Sequence, residues 1–198
     1  MNMREYDETE LPEEPLYATN FKMKLERQTP RSAFNTFVFC IIAAGPLAVV
    51  TVLAYQFHMF GDGSGVRFFK AVFLAPPVEE FAKIATPLII LSRYPWRWLS
   101  GSQLVFACVF SGLVFAAIEN LLYLFVYVEN PSARMVVWRW TVCVSVHAVC
   151  SALAGCGLLR VWRNTHKTFA RPDALPAAPW FVAAVVIHGV YNAAATWI

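Results

Sequence analysis

The sequence predicts an all-α fold, a polytopic bundle of about five transmembrane helices. Three observations predict it. Hydrophobic residues make up 58% of the chain and charged residues only 15%, where a soluble domain carries roughly 25% charged residues. Apolar stretches recur at the roughly 20 residues needed to cross a hydrocarbon core about 30 Å thick. The segments between them carry the Gly, Pro and charge expected of loops. A net charge of +3 without a basic cluster interleaved with aromatics points away from nucleic acid as a partner and leaves the lipid bilayer as the evident one.

Residues 1–32 read as a polar tail. It is acidic at first, with Glu5, Asp7, Glu8, Glu10, Glu13 and Glu14, and then basic, with Lys22, Lys24, Arg27 and Arg31. The acidic run is expected to be disordered. The basic part abuts the first span and suits anionic headgroups on the cytoplasmic side. No cleavable signal peptide is expected, because no short apolar stretch follows the first residues. Residues 33–198 are expected to form the transmembrane domain.

The expected spans run over 33–59, 69–91, 103–128, 136–160 and 180–198. The connections are Gly61-Asp62-Gly63-Ser64-Gly65, Arg93 to Ser102, Glu129 to Arg134, and Arg163 to Pro179. No internal repeat is visible. Lys22, Lys24, Arg27 and Arg31 flank the first span, Arg93 and Arg97 lie in the second connection, and Arg160, Arg163, Lys167 and Arg171 lie in or beside the fourth. The first and third connections have only Arg67, Lys70, Arg134 and Arg139 in or beside them. The Lys/Arg bias therefore puts the N-terminus in the cytoplasm. The five cysteines, Cys40, Cys108, Cys143, Cys150 and Cys156, fall in or near apolar stretches without paired spacing and read as small buried hydrophobes.

Four of these spans carry ionisable residues near their middle. A charge at the bilayer centre costs about 2.5–3.5 kcal/mol even on lenient scales, so four at one depth point to a shared polar site. The second span reads Ala75-Pro76-Pro77-Val78-Glu79-Glu80-Phe81-Ala82-Lys83. Two mid-span prolines remove backbone donors and predict a break, with a half-helix starting near Pro77 and Glu79 and Glu80 in its first turn. Lys83 is spaced to pair with either carboxylate. Adjacent helix positions point about 100° apart, so one of the two faces a site squarely; spacing alone does not choose. One acts as base on a water and the other as metal ligand or orienting group.

The third span carries Glu119 beside Asn120, with small residues Gly112, Ala116 and Ala117 that admit another helix and Tyr123 one turn on. The fourth carries His147, with Ser151 one turn away. The fifth carries His188, with Asn192 on the same face. Two imidazoles and three carboxylates suit zinc, and Asn192 is placed to orient a histidine or donate to an oxyanion. His58 and His166, at a span end and in a polar loop, are not expected to act. On the residues alone a non-enzymatic membrane scaffold and a proton-coupled carrier remain as alternatives.

Glu79-Glu80-x-x-Lys83, Phe115-x-x-x-Glu119-Asn120, mid-span His147 and His188-Gly-x-Tyr-Asn192 resemble the motifs of the PrsW intramembrane proteases, within the wider CAAX prenyl endopeptidase and Abi superfamily. Lys83 and Glu119 stand where prenyl proteases have Arg and His, which favours the PrsW branch. The resemblance implies an intramembrane endopeptidase acting on membrane-anchored protein substrates, as bacterial relatives act on anti-sigma factors. It carries over Glu79 and Glu80 as the catalytic carboxylate pair, Glu119, His147 and His188 as the remaining catalytic-site residues, and Asn192 as a support; on this chain's own residues Glu119, His147 and His188 are the expected zinc set, and Asn192 and Lys83 are expected toward substrate. The second version it allows is a metal-free glutamate mechanism.

Overall fold

A computed structural model describes residues 13–56 and 63–196. The acidic run from Glu5 to Glu10, His58, the end of the first expected span and Gly61-Asp62 lie outside the described residues. The helices are α1 (Glu13–Glu26), α2 (Pro30–Gln56), α3 (Ser64–Phe69), α4 (Ala75–Arg93), α5 (Gly101–Leu122), α6 (Ala133–Trp138), α7 (Val144–Thr168) and α8 (Ala178–Ala195). Wide π-helical turns at Lys70–Leu74 and Arg139–Cys143 join α3 to α4 and α6 to α7, and a third, Tyr123–Tyr127, extends α5. There is no strand among the described residues. The molecule is a helical membrane bundle, as its composition predicts.

Four helical stretches are long and apolar enough to cross a membrane: Pro30–Ala54, Gly101–Tyr127, Ala133–Thr168 and Leu175–Ala195. The continuous stretch 64–93 differs from them in carrying Glu79, Glu80 and Lys83. Helix α4 packs against α2, α5, α7 and α8, and these contacts bury Glu79, Glu80 and Lys83. The outer surfaces are apolar, with Phe34, Ile42, Phe106, Phe125 and Val190 exposed where lipid tails would meet them. In lipid the helices gain little from burying apolar surface against one another, and close approach of backbones takes its place. Gly112 of α5 shows this: a Cβ there would lie 2.1 Å from Ser151 Oγ of α7.

The expected break at Pro76-Pro77 takes a milder form. Leu74 stays in the right-handed helical region, so the chain is not split into a free half-helix. The π turn accommodates the prolines instead. Ala75 N–H reaches back to Lys70 O. Pro76 and Pro77 have no N–H to offer the carbonyls of Ala71 and Val72. Helix α8 meets this bared backbone: Asn192 Nδ2 donates to Ala71 O at 2.8 Å, and a Cβ at Gly189 would lie 2.8 Å from Val72 O.

Part of the expected polar tail is ordered against the bundle. Phe21 of α1 is fully buried, with its ring 6.1 Å from Trp96, 5.2 Å from His166 and 5.4 Å from Phe169. Lys22 and Lys24 lie over the rings of Phe169 and Trp96 at 4.8 and 4.3 Å. Sequence alone misses this because the two aromatics of the segment, Tyr17 and Phe21, stand among charged residues and leave no long apolar stripe. Phe21→Ala is expected to destabilise the protein by about 3 kcal/mol, the usual cost of emptying a buried aromatic site. Thermal unfolding in detergent measures it, and an unchanged midpoint would show α1 to be loosely held.

Helix α7 also runs past its expected end. The stretch Ala133–Thr168 has 36 residues, about 54 Å at 1.5 Å per residue, well beyond the hydrocarbon thickness. The fourth connection therefore begins at Phe169, which ends the helix in the left-handed region at φ 54°. His166 is on the helix, not in a loop, with its ring 4.3 Å from that of Trp162.

Candidate active site

The three π turns share one end of the bundle. Short connections reverse the chain between α4 and α5 and between α5 and α6, so the start of 64–93, the end of 101–127 and the start of 133–168 lie together. π turns are frequent at functional sites because the extra residue re-aims the side chains beyond it. Just below these turns the four polar helices converge.

On α4, Glu79 and Glu80 are both buried. Lys83 chooses between them: its Nζ lies 2.5 Å from Glu80 Oε1 and 5.0 Å over the Phe115 ring. The same Glu80 oxygen is 2.7 Å from His188 Nδ1 on α8. A carboxylate beside an ammonium accepts, so Nδ1–H donates and His188 keeps an Nε2 lone pair. That Nε2 lies 3.6 Å from Glu79 Oε2.

A second arrangement mirrors the first. Glu119 Oε1 on α5 receives Arg139 Nη2 at 2.8 Å, and Glu119 Oε2 lies 3.2 Å from His147 Nε2 on α7. Arg139 is pinned in turn. Its Nε donates to Asn120 Oδ1, Asn120 Nδ2 donates to Arg139 O, both at 2.9 Å, and the guanidinium lies 3.9 Å over the Tyr123 ring. The two imidazoles meet edge to face, 4.9 Å between centroids. Each histidine is thus held by a carboxylate, and each carboxylate by a cation. Such outer contacts fix ring orientation for metal binding.

Glu79, His147 and His188 each offer one donor atom within 4.8 Å of the others, and all three are buried. Glu79 Oε2, His147 Nδ1 and Glu80 Oε2 have no hydrogen-bond partner, while Glu119 Oε2 has its 3.2 Å ion pair with His147 Nε2. Buried polar atoms are partnered in roughly nine cases of ten, so these three unpartnered in one cluster fit a site built for a ligand. One carboxylate oxygen and two imidazole nitrogens are the donors zinc takes in hydrolytic centres. The residues present fit a metal.

The grouping differs from the expected one in one member. The sequence motifs put Glu119 with the two histidines, and the structure groups Glu79 with them, while Glu119 is engaged by Arg139 on one oxygen and by His147 on the other. Arg139, which reads as a loop-flanking charge in the sequence, is partly buried at the site. Its signal is legible there: an Arg inside an apolar run, eight residues before His147 and so on its face of the helix. Lys83 and Asn192, expected toward substrate, are engaged by Glu80 and by the Ala71 carbonyl.

Buried carboxylates and imidazoles grouped for a metal, inside a bundle of membrane-length helices, define a membrane-embedded metalloenzyme. The family described as PrsW family intramembrane metalloprotease matches residues 28–198, and the chain belongs to that family. It is an intramembrane protease and a multi-pass membrane protein, which disfavours the carrier and scaffold readings. Searches of curated proteins and of solved structures found no match.

Proposed function

We propose that Glu79, His147 and His188 hold a zinc ion, and that Glu80 Oε2 takes the proton of the attacking water as the protein hydrolyses a peptide bond in a membrane-anchored substrate. The observation that carries this reading is the approach of three buried donors within 4.8 Å, with Glu79 Oε2 and His147 Nδ1 unpartnered. The ion, when bound, supplies a Lewis acid that polarises the scissile carbonyl and acidifies water. Glu80 has two tasks on two oxygens: Oε1 anchors His188 and Lys83, and Oε2 remains to accept a proton. Glu119 positions His147, and Arg139 positions Glu119. A helical amide is shielded by its own hydrogen bonds, so the substrate segment unwinds before it is cut.

The N-terminus faces the cytoplasm in this reading. With Arg139 removed from the count of loop charges, the excess of Lys and Arg at the α1 end of the bundle becomes larger. The π-turn end then faces away from the cytoplasm, and the site takes its water from there.

Metal content of the detergent-purified protein, measured by mass spectrometry, tests the proposal beside a triple alanine variant at Glu79, His147 and His188. About one zinc per chain, lost in the variant together with cleavage of a membrane-anchored reporter peptide, is the expected result. Cleavage by a protein free of metal would overturn it in favour of a metal-free glutamate mechanism.

A further inference from the structure

A second donor group lies beside the first and is not used by the proposed reaction. Cys143 ends the π turn Arg139–Cys143, four residues before His147, so thiol and imidazole share a helix face. One donor atom each from Glu119, Cys143 and His147 lies within 4.8 Å of the others. Cys143 and His147 are each 1% exposed, His147 Nδ1 is unpartnered, and Glu119 Oε2 already lies 3.2 Å from His147 Nε2. The sulfur distinguishes this group chemically. Thiolate is a soft ligand and selects zinc and softer cations over hard ones.

We propose that Glu119, Cys143 and His147 form a second site, for soft divalent metal, that inhibits the enzyme by drawing His147 out of the first set. Two features set the order of filling. Arg139, 2.8 Å from Glu119 Oε1, opposes a further cation, and the Cys143 thiol must give its proton to water as the sulfur–metal bond forms. The site therefore fills only in metal excess, after the first. The inhibitory half of the proposal rests on the reading of His147 as a ligand of the first site; binding at Cys143 does not.

Cadmium is the probe, titrated into the detergent-purified full chain loaded with zinc, and Cys143→Ser is the variant. A sulfur-to-cadmium charge-transfer band in the ultraviolet is expected to rise to saturation in the parent and to be absent in the variant, with the four other cysteines in place. Reporter cleavage is expected to fall over the same cadmium range, and the variant to need at least about tenfold more cadmium for equal inhibition, the usual scale of a lost metal-site contact. Without cadmium the variant should cleave as the parent does. A band that survives Cys143→Ser, or equal inhibition of both proteins, overturns the proposal. If the parent shows no zinc-dependent cleavage, the proposed function fails, and the band still decides whether Cys143 binds metal.

Discussion

Glu80→Gln is expected to slow peptide hydrolysis by about 10²–10⁴-fold, the range for loss of a positioned general base, while bound zinc stays close to the parent's. Glutamine keeps the shape and can still accept the His188 Nδ1–H through its amide oxygen, so the first donor set keeps its orientation. What it loses is the proton-accepting capacity of Oε2, which has no other partner in the structure. Glu79→Gln separates the two roles, because it removes a ligand oxygen and should lower zinc content and cleavage together. Loss of zinc in the Glu80 variant with retention in the Glu79 variant would exchange the two assignments. Full activity in both would remove the carboxylate pair from the reaction.

Lys83→Met is expected to destabilise the protein by about 3–5 kcal/mol, because removing one partner of a buried pair leaves the other charge uncompensated. Both side chains of the Lys83–Glu80 pair are fully buried, and the carboxylate left behind would retain only His188. The double change Lys83→Met/Glu80→Gln removes the stranded charge as well and should recover much of the loss. Unfolding of the three variants in detergent gives the coupling energy directly. A double variant as unstable as Lys83→Met alone would mean that the lysine acts by packing against Phe115 rather than by its charge.

Helix length and apolarity are properties of contiguous residues, so the bundle and the depth of Glu79, Glu119, His147 and His188 are legible in the chain itself. Pairing between helices is not. Whether Glu79 or Glu119 joins the histidines depends on helix rotation, and one extra residue in a π turn changes rotation without changing the hydrophobic pattern; within α4 itself Lys83 is spaced for either glutamate and takes Glu80, which His188 also engages. Arg139 is easily misplaced for a related reason: in a count of flanking charges it reads as a loop residue, although it stands inside an apolar run, and its partners Glu119 and Asn120 establish that it turns inward. Phe21 escapes because its partners lie in remote connections, at Trp96 and Phe169.

The three π turns tie the chain's length to its chemistry. Each holds one residue more than an α-helical turn in the same space, so losing a single residue from 70–74 or 139–143 would let the backbone relax to ordinary helix with the segment beyond it left in place, whereas one residue more finds no such slack and would swing that segment by about 100°. Glu79 or His147 would then face a neighbour's flank or lipid while every side chain of the site was still encoded. For this protein the number of residues above the centre is as much a determinant of activity as their identity, and one-residue insertions there should be tolerated less well than one-residue deletions.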